Sequence, residues 1–320
     1  MPILQGIRDG VAEVSRRARF VRINREFLPE YAASLPLEKA KAPALDPSRH
    51  FLEGEAGTLA YLVTLDAVNF GSGYFPHLQK RPGMSGYFTV AASLADHFRA
   101  RGPLSAEALA RLDKGDCTRI FGQEPASAPI EELMGLFADA LNRLGRFLLG
   151  EYRGSFRALV ESAGGSAERL AETLGQMLPF HDVQGYQELV VPFFKRAQLT
   201  AADLAVAFRG EGPGRFRDLE RLTIFADNLV PHVLRVDGLL IYDEDLAARI
   251  DRGELIPAGS AEEVEIRAAA VHAVELLVAA LNGSGRPATA MGLDYLFWNR
   301  GQEPHYKQVK PRHRTRTVFY

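Results

Sequence analysis

Apolar residues along this chain recur mainly at helical spacing. After Pro129, residues Leu133, Leu136, Phe137, Ala140, Leu141, Leu144, Phe147 and Leu148 fall on one face. Pro129, Glu131 and Glu132 are start signals for that helix. Proline lacks only an N–H that the first turn leaves unbonded, and acids favour the positive end of the helix dipole. Ser260 and Glu263 form a capping-box pattern ahead of Val264, Val271, Val274, Leu277, Val278 and Leu281, with Gly283 as a stop. Leu170, Leu174 and Met177 mark the same period within Ser166 to Leu178, and Thr58 to Ala67 and Tyr87 to Phe98 also read as helices. Strand signals are few. Asp237-Gly238 fits a hairpin turn or a helix stop, and the helical pattern on both sides favours the stop. Thr315 to Tyr320 fits an extended tail. Loops are expected at 36–47, 122–129 and 210–214, none long enough for a flexible linker. The pattern predicts an all-α fold with few or no strands, in one helical domain over 1–320.

Composition narrows the function. With 47% hydrophobic residues, 320 residues bury a sizeable core. The 38 basic and 40 acidic residues nearly balance, which argues against a nucleic-acid polymer as the main partner. Cys117 is the one cysteine, so no intrachain disulfide forms, and nothing near it in sequence supplies a base to activate the thiol. Residues 1–20 alternate charged and apolar positions without a signal-peptide core, and no stretch approaches the roughly 20 apolar residues that span a bilayer. A cytoplasmic protein without a membrane partner is expected. No two of the eight histidines stand three or four apart, so no metal site is expected. Glycine-rich dinucleotide loops, Walker loops and nucleophile elbows are absent from the sequence, and no cofactor is expected.

Two segments hold candidate chemistry. In Phe180 to Gln198, Lys195 follows Pro192 closely. A proline in the first helical turn would put Lys195 near a helix N-terminus, where a cation opposes the dipole. In Leu222 to Leu234, Asp227 stands among apolar residues with Pro231 four positions on. In a helix, that proline removes the N–H that would bond the Asp227 carbonyl, so a local disturbance is expected there. A carboxylate in such a setting needs a partner. A helix-capping or ion-paired aspartate fits the pattern as well.

These segments resemble the queuosine salvage family. The matching stretches are Val68-Asn-Phe70, Gly185-Tyr186 ahead of Lys195-Arg-Ala-Gln198, Thr223-Ile-Phe-Ala-Asp227 and Glu262-Glu-Val-Glu-Ile-Arg267 followed by Ala273-Val-Glu275. Leu293-Asp-Tyr-Leu-Phe-Trp298 and the tail His313-Arg-Thr-Arg316 to Tyr320 complete the set. Six motifs agree in order and spacing over roughly residues 55–320. The family usually reads Ala-Asp-Tyr-Arg-Val-Pro-Gln where this chain has Ala226-Asp-Asn-Leu-Val-Pro-His232, and the first motif lacks its usual tryptophan.

The resemblance implies a fold similar to helix-hairpin-helix DNA glycosylases and hydrolysis of queuosine 5′-phosphate to queuine. It implies Asp227 as the carboxylate that meets positive charge at the sugar C1′, and Lys195 as the group that holds the base. Asn69, Phe70 and Tyr74 are candidates to bond and stack on the base, or to pack locally. Gln198 belongs to a matched motif and His232 stands where the family usually has glutamine, and both are candidate substrate contacts. Asp203 is placed to contact the sugar or to cap with Thr200, and Asp294 and Trp298 stand one helical turn apart. His313, Arg314 and Arg316 are candidates for a 5′-phosphate, or form a solvated basic tail. Glu263, Glu265 and Arg267 read as helix-surface or structural ion pairs. A small nucleotide is the expected partner. The competing expectation is a module that binds a modified base or tRNA without cleaving it, motivated by the basic run Lys307 to Arg316.

Overall fold

The computed structural model describes residues 2–40, 45–124 and 127–320. Helices dominate these residues, and strands are confined to four segments of three or four residues. The chain forms two compact units, one from 1–43, 183–195 and 218–316, the other from 44–182, 196–217 and 317–320.

In the first unit, the 23-residue helix Ala261–Gly283 is the central element. Ser260 Oγ accepts the Glu263 N–H at 3.3 Å, and the Glu263 carboxylate accepts the Gly259 N–H at 3.2 Å. The predicted cap is therefore present, with its reciprocal bond moved back one residue. The helix Ile3–Arg17 packs against it through Leu4, Ile7, Val11 and Val14, a fully buried stripe at three- and four-residue spacing. The helix Val230–Val236 stops at Gly238, whose φ of +83° suits glycine, as the stop predicts. The chain then enters a strand that sequence periodicity does not reveal. β1 (Val21–Ile23) and β4 (Leu240–Tyr242) pair antiparallel, Val21 opposite Tyr242. β2 (Val183–Tyr186) and β3 (Leu189–Pro192) form a hairpin through Gln187 and Glu188.

The hairpin corrects one expectation. Pro192 ends β3 and takes no part in a helical turn. Lys195 nevertheless opens the helix Lys195–Ala207, because the chain turns at Phe194 with φ of +47°.

In the second unit, the 25-residue helix Ala128–Tyr152 packs against the helices Glu55–Ala67, Ala106–Leu109, Lys114–Ile120 and Phe156–Ser162, burying Leu133, Phe137, Ala140, Leu141, Leu144 and Leu148 of its predicted stripe and leaving Leu136 and Phe147 half-buried. Gly145 permits the closest of these approaches. A Cβ there would lie 2.4 Å from the Ala110 nitrogen and 2.6 Å from the Ala106 oxygen. Phe137 meets Phe70 and Phe121 edge-on, with ring centres 5.1 and 4.9 Å away. The helices Gly86–Arg101 and Ala167–Leu174 complete the unit's longer elements. Cys117 is fully buried, and burial pushes its thiol up to about 12.

Of the predicted loops, 210–214 holds a short 3-10 turn, Gly212–Gly214. Residues 41–44 and 125–126 of the other two lie outside the described residues. The tail 315–320 carries no helix or paired strand. No helix among the described residues is long and apolar enough to cross a membrane.

Candidate active site

The buried segment 222–226 runs without regular structure into Asp227, which is half-buried. Asp227 precedes the helix Val230–Val236, and Pro231 occupies that helix's first turn. The expected helical disturbance at Asp227 is therefore absent: a proline there removes only an N–H that the first turn leaves free. Asp227 Oδ1 instead accepts the N–H groups of Leu229 at 2.6 Å and Val230 at 3.3 Å. Its other oxygen, Oδ2, takes no hydrogen bond from the described residues. One oxygen is thus anchored and the other is left available.

Asp294 approaches from the helix Ala290–Arg300, which Thr289 caps through the Gly292 N–H at 3.1 Å. It is 4% exposed, and its Oδ1 accepts the Phe225 N–H at 2.9 Å. Burial and then the charge of Asp227 push the Asp294 carboxyl up to about 8, against the pull of the Phe225 N–H and the Lys195 ammonium. At neutral pH Asp294 therefore keeps its proton beside the Asp227 carboxylate. Two carboxyls in unlike environments can serve as a proton donor and a charge stabiliser. Lys195 is 5% exposed and is the first residue of its helix, where the dipole opposes a cation. Phe225 and Tyr295 set their rings 6.4 Å apart beside Asp294.

The helix Ala261–Gly283 holds this group in place. Arg267 is fully buried, donates from Nε to the Ala226 carbonyl at 3.1 Å, and lies 4.0 Å over the Phe193 ring. One guanidinium therefore touches the residue before Asp227 and the residue two before Lys195. Its Nη1 stands 3.6 Å from Glu263, the structural pair the sequence suggests. Glu265 has a different role. Its Oε2 accepts the N–H groups of Arg19, Phe20 and Val21 at 2.6 to 3.1 Å, and its Oε1 accepts the Tyr186 hydroxyl at 2.8 Å.

The segment after residue 303 closes against the same region. The Asn228 side chain donates to the His313 carbonyl at 3.2 Å, and His232 Nε2 bonds the Tyr306 carbonyl at 2.6 Å. Burial holds the His232 ring down at about 4 and the His313 ring down at about 3, so both are neutral near pH 7. Neither supplies a cation. Arg314 donates to the Gly253 carbonyl and accepts the Ile256 N–H at 2.9 Å through its own, so it is built into the backbone scaffold. Arg316 and Trp298 are half-buried in the same unit, Trp298 one helical turn from Asp294.

Five candidates belong to the second unit. Phe70 is a core ring, and Tyr74 is buried with its hydroxyl on Glu132 at 2.9 Å. Gln198 is fully buried, and Asn69 and Asp203 are half-buried. Thr200 donates to the Arg196 carbonyl at 2.9 Å within its own helix. Arg196, next to Lys195, is fully buried between the Phe70 and Phe180 rings and donates to the carbonyls of Asp66, Ala67, Pro179 and Val318.

The first unit thus gathers Asp227, Lys195 and Asp294, with His232 and His313 bonded nearby. Two residues with evident roles were not singled out by pattern. Arg267 stands inside a matched motif but reads as an ordinary i,i+4 partner of Glu263. Arg312 stands in the basic run; the charge of Asp227 acts on it, and its own charge is felt by His232 and His313.

Comparison with known proteins agrees in kind. The family model described as queuosine salvage protein matches residues 49–320. A protein of Sphaerobacter thermophilus named queuosine 5′-phosphate N-glycosylase/hydrolase is 36% identical over 324 aligned positions, covering 98% of this chain and 99% of its own. A protein of the same name from Dictyostelium discoideum is 29% identical and covers 98% of each chain. Another from Mus musculus is 34% identical over 56% of each.

Proposed function

The chain belongs to the queuosine salvage protein family, and we propose that it hydrolyses queuosine 5′-phosphate to queuine and ribose 5-phosphate, for reuse of the base in tRNA modification. The observation that carries this proposal is the arrangement at Asp227. Two backbone N–H groups fix one oxygen, the other is available, and the protonated Asp294 carboxyl feels the charges of both Asp227 and Lys195.

Cleavage breaks the bond between C1′ and the base nitrogen, and the electron pair leaves with the base. The sugar passes through an oxocarbenium-like state, which a carboxylate stabilises by charge, by bonding to C1′ or by holding the attacking water. Asp227 Oδ2 serves this role. The base of queuosine is a 7-deazapurine, with carbon where purines carry the N7 that hydrolases commonly protonate. Help to the leaving group must come from donors placed elsewhere on the base. Protonated Asp294 and the Lys195 ammonium are such donors, and both are preorganised in a site from which much water is excluded. Water supplies the hydroxyl that ends on C1′, and its proton ends on the base. Phe225 and Tyr295 offer flat apolar surface beside Asp294, suited to an aromatic ligand.

The test is release of queuine from queuosine 5′-phosphate by purified protein, followed chromatographically. Wild type is expected to release it, and Asp227→Asn to lower kcat by about 10²- to 10⁴-fold. Full activity in that variant would remove Asp227 from its role. A folded wild-type protein that binds the nucleotide without cleaving it would turn the proposal into a base-binding module.

A further inference from the structure

Gly301 closes the helix Ala290–Arg300 with φ of −63° and ψ of −14°, an ordinary right-handed conformation that any residue adopts. Its backbone does not require glycine, but its surroundings do. A Cβ at Gly301 would lie 2.4 Å from Leu229 Cδ1, 2.8 Å from Cγ and 3.1 Å from Cδ2, all closer than carbon atoms pack. Leu229 is 2% exposed, so its side chain has no solvent to turn into. It stands where this chain departs from the family, which usually has arginine.

Leu229 is also a residue that holds Asp227. Its N–H donates to Asp227 Oδ1 at 2.6 Å, the shorter of the two bonds that fix that oxygen. Side chain and N–H belong to one residue, so a shift of the buried side chain carries the N–H with it. The helix end opposite has little room to yield. The Gly301 N–H is bonded to the Phe297 carbonyl at 2.9 Å. Arg300 pairs with Asp237 at 3.1 Å, and Asp237 also accepts the Tyr306 hydroxyl at 2.8 Å. Leu229 and Asp237 cap the two ends of the helix Val230–Val236. That helix is therefore held at its start by Gly301 and at its end by Arg300, neighbours at the end of the helix that carries Asp294.

We propose that Leu229 and Gly301 are a positioning pair for the reaction: the space left by the missing side chain at 301 seats Leu229, and the seated Leu229 sets the reach of Asp227. Gly301 acts only through Leu229. The pair governs turnover and not binding, because the Asp227 carboxylate meets full positive charge at C1′ only as the bond to the base breaks. This proposal rests on the glycosidase reading above.

The experiment measures queuine release from queuosine 5′-phosphate by wild type, Gly301→Ala, Leu229→Ala and the double variant, each checked for folding by circular dichroism. Gly301→Ala is expected to lower kcat about 10- to 100-fold and to leave KM within about threefold. In a chain that already carries Leu229→Ala, the same change at 301 should cost less than about threefold, because the methyl no longer meets a leucine. Wild-type kcat in a folded Gly301→Ala, a loss confined to KM, or equal losses in both backgrounds would overturn the proposal. Should Gly301→Ala not fold, Leu229→Ala decides alone. It keeps the N–H but loses its seat, so kcat should fall with KM retained, and an unchanged kcat would overturn the proposal. A second arm reads the anchor without catalysis. Hydrogen exchange of the amides at 229 and 230, followed by NMR, should quicken in either single variant, and exchange as slow as in wild type would overturn the proposal as well. Wild type that releases no queuine would defeat the glycosidase reading, and the exchange arm would still decide whether the pair holds Asp227.

Discussion

At the scale of single residues, the candidate site holds two aspartates made unlike by their surroundings. Asp227 is met by backbone N–H groups, whereas Asp294 is buried beside it and holds its proton up to about pH 8. If Asp294 donates to the leaving base, kcat/KM falls as pH rises through about 8, roughly tenfold per unit beyond it. Asp294→Asn keeps a donor but cannot titrate, so its profile should lose that limb. A pH profile of queuine release checks this directly. The same shift has a sign for stability. Asp294 titrates near 4 when unfolded and near 8 when folded, so its contribution is complete below about pH 4 and is lost as pH rises to about 8. Asp227 and Lys195 drew attention because a charge among apolar residues, or against a helix dipole, is conspicuous in sequence, yet the pattern misread both surroundings: Pro192 ends a strand, and Pro231 opens a helix that begins after Asp227. The basic run gave no such signal, because its five cations look alike until tertiary contacts assign partners to some of them, as Gly253 does for Arg314. Phe70 and Tyr74, candidates for the base, are buried, Phe70 against Phe137 and Tyr74 with its hydroxyl on Glu132.

At the scale of elements, legibility followed period and length. The helices Ala128–Tyr152 and Ala261–Gly283 repeat their apolar pattern over many turns, and their starts carry capping chemistry. The four strands have three or four residues each, too few for alternation to register. β1 finds its partner more than 200 positions away, and the β2–β3 turn uses Gln187 and Glu188 in place of the usual asparagine and glycine. Sequence likewise gives no hint that Gly145 is where two helices touch. Gly145→Ala would drive a methyl into the backbone at Ala110 and is expected to destabilise the fold by about 1–3 kcal/mol or more, read from urea midpoints.

For the whole molecule, the chain passes between the two units at 43–44, 182–183, 195–196, 217–218 and 316–317. Neither unit is a continuous stretch that ends before the other begins. We propose that the two fold as one domain, since neither can be completed without threading through the other. The sole tryptophan, Trp298, lies in the first unit and the sole cysteine, Cys117, in the second, so each half contains its own reporter. The sealed thiol makes the protein a clock for its own opening. A disulfide reagent can reach Cys117 only during excursions of the second unit, so labelling time measures how often they occur. If one domain opens as a whole, labelling quickens over the same urea range in which the tryptophan signal is lost. Labelling that quickens at clearly lower urea would mean that the second unit breathes by itself, and that the half of the chain without Asp227 is the first to come apart.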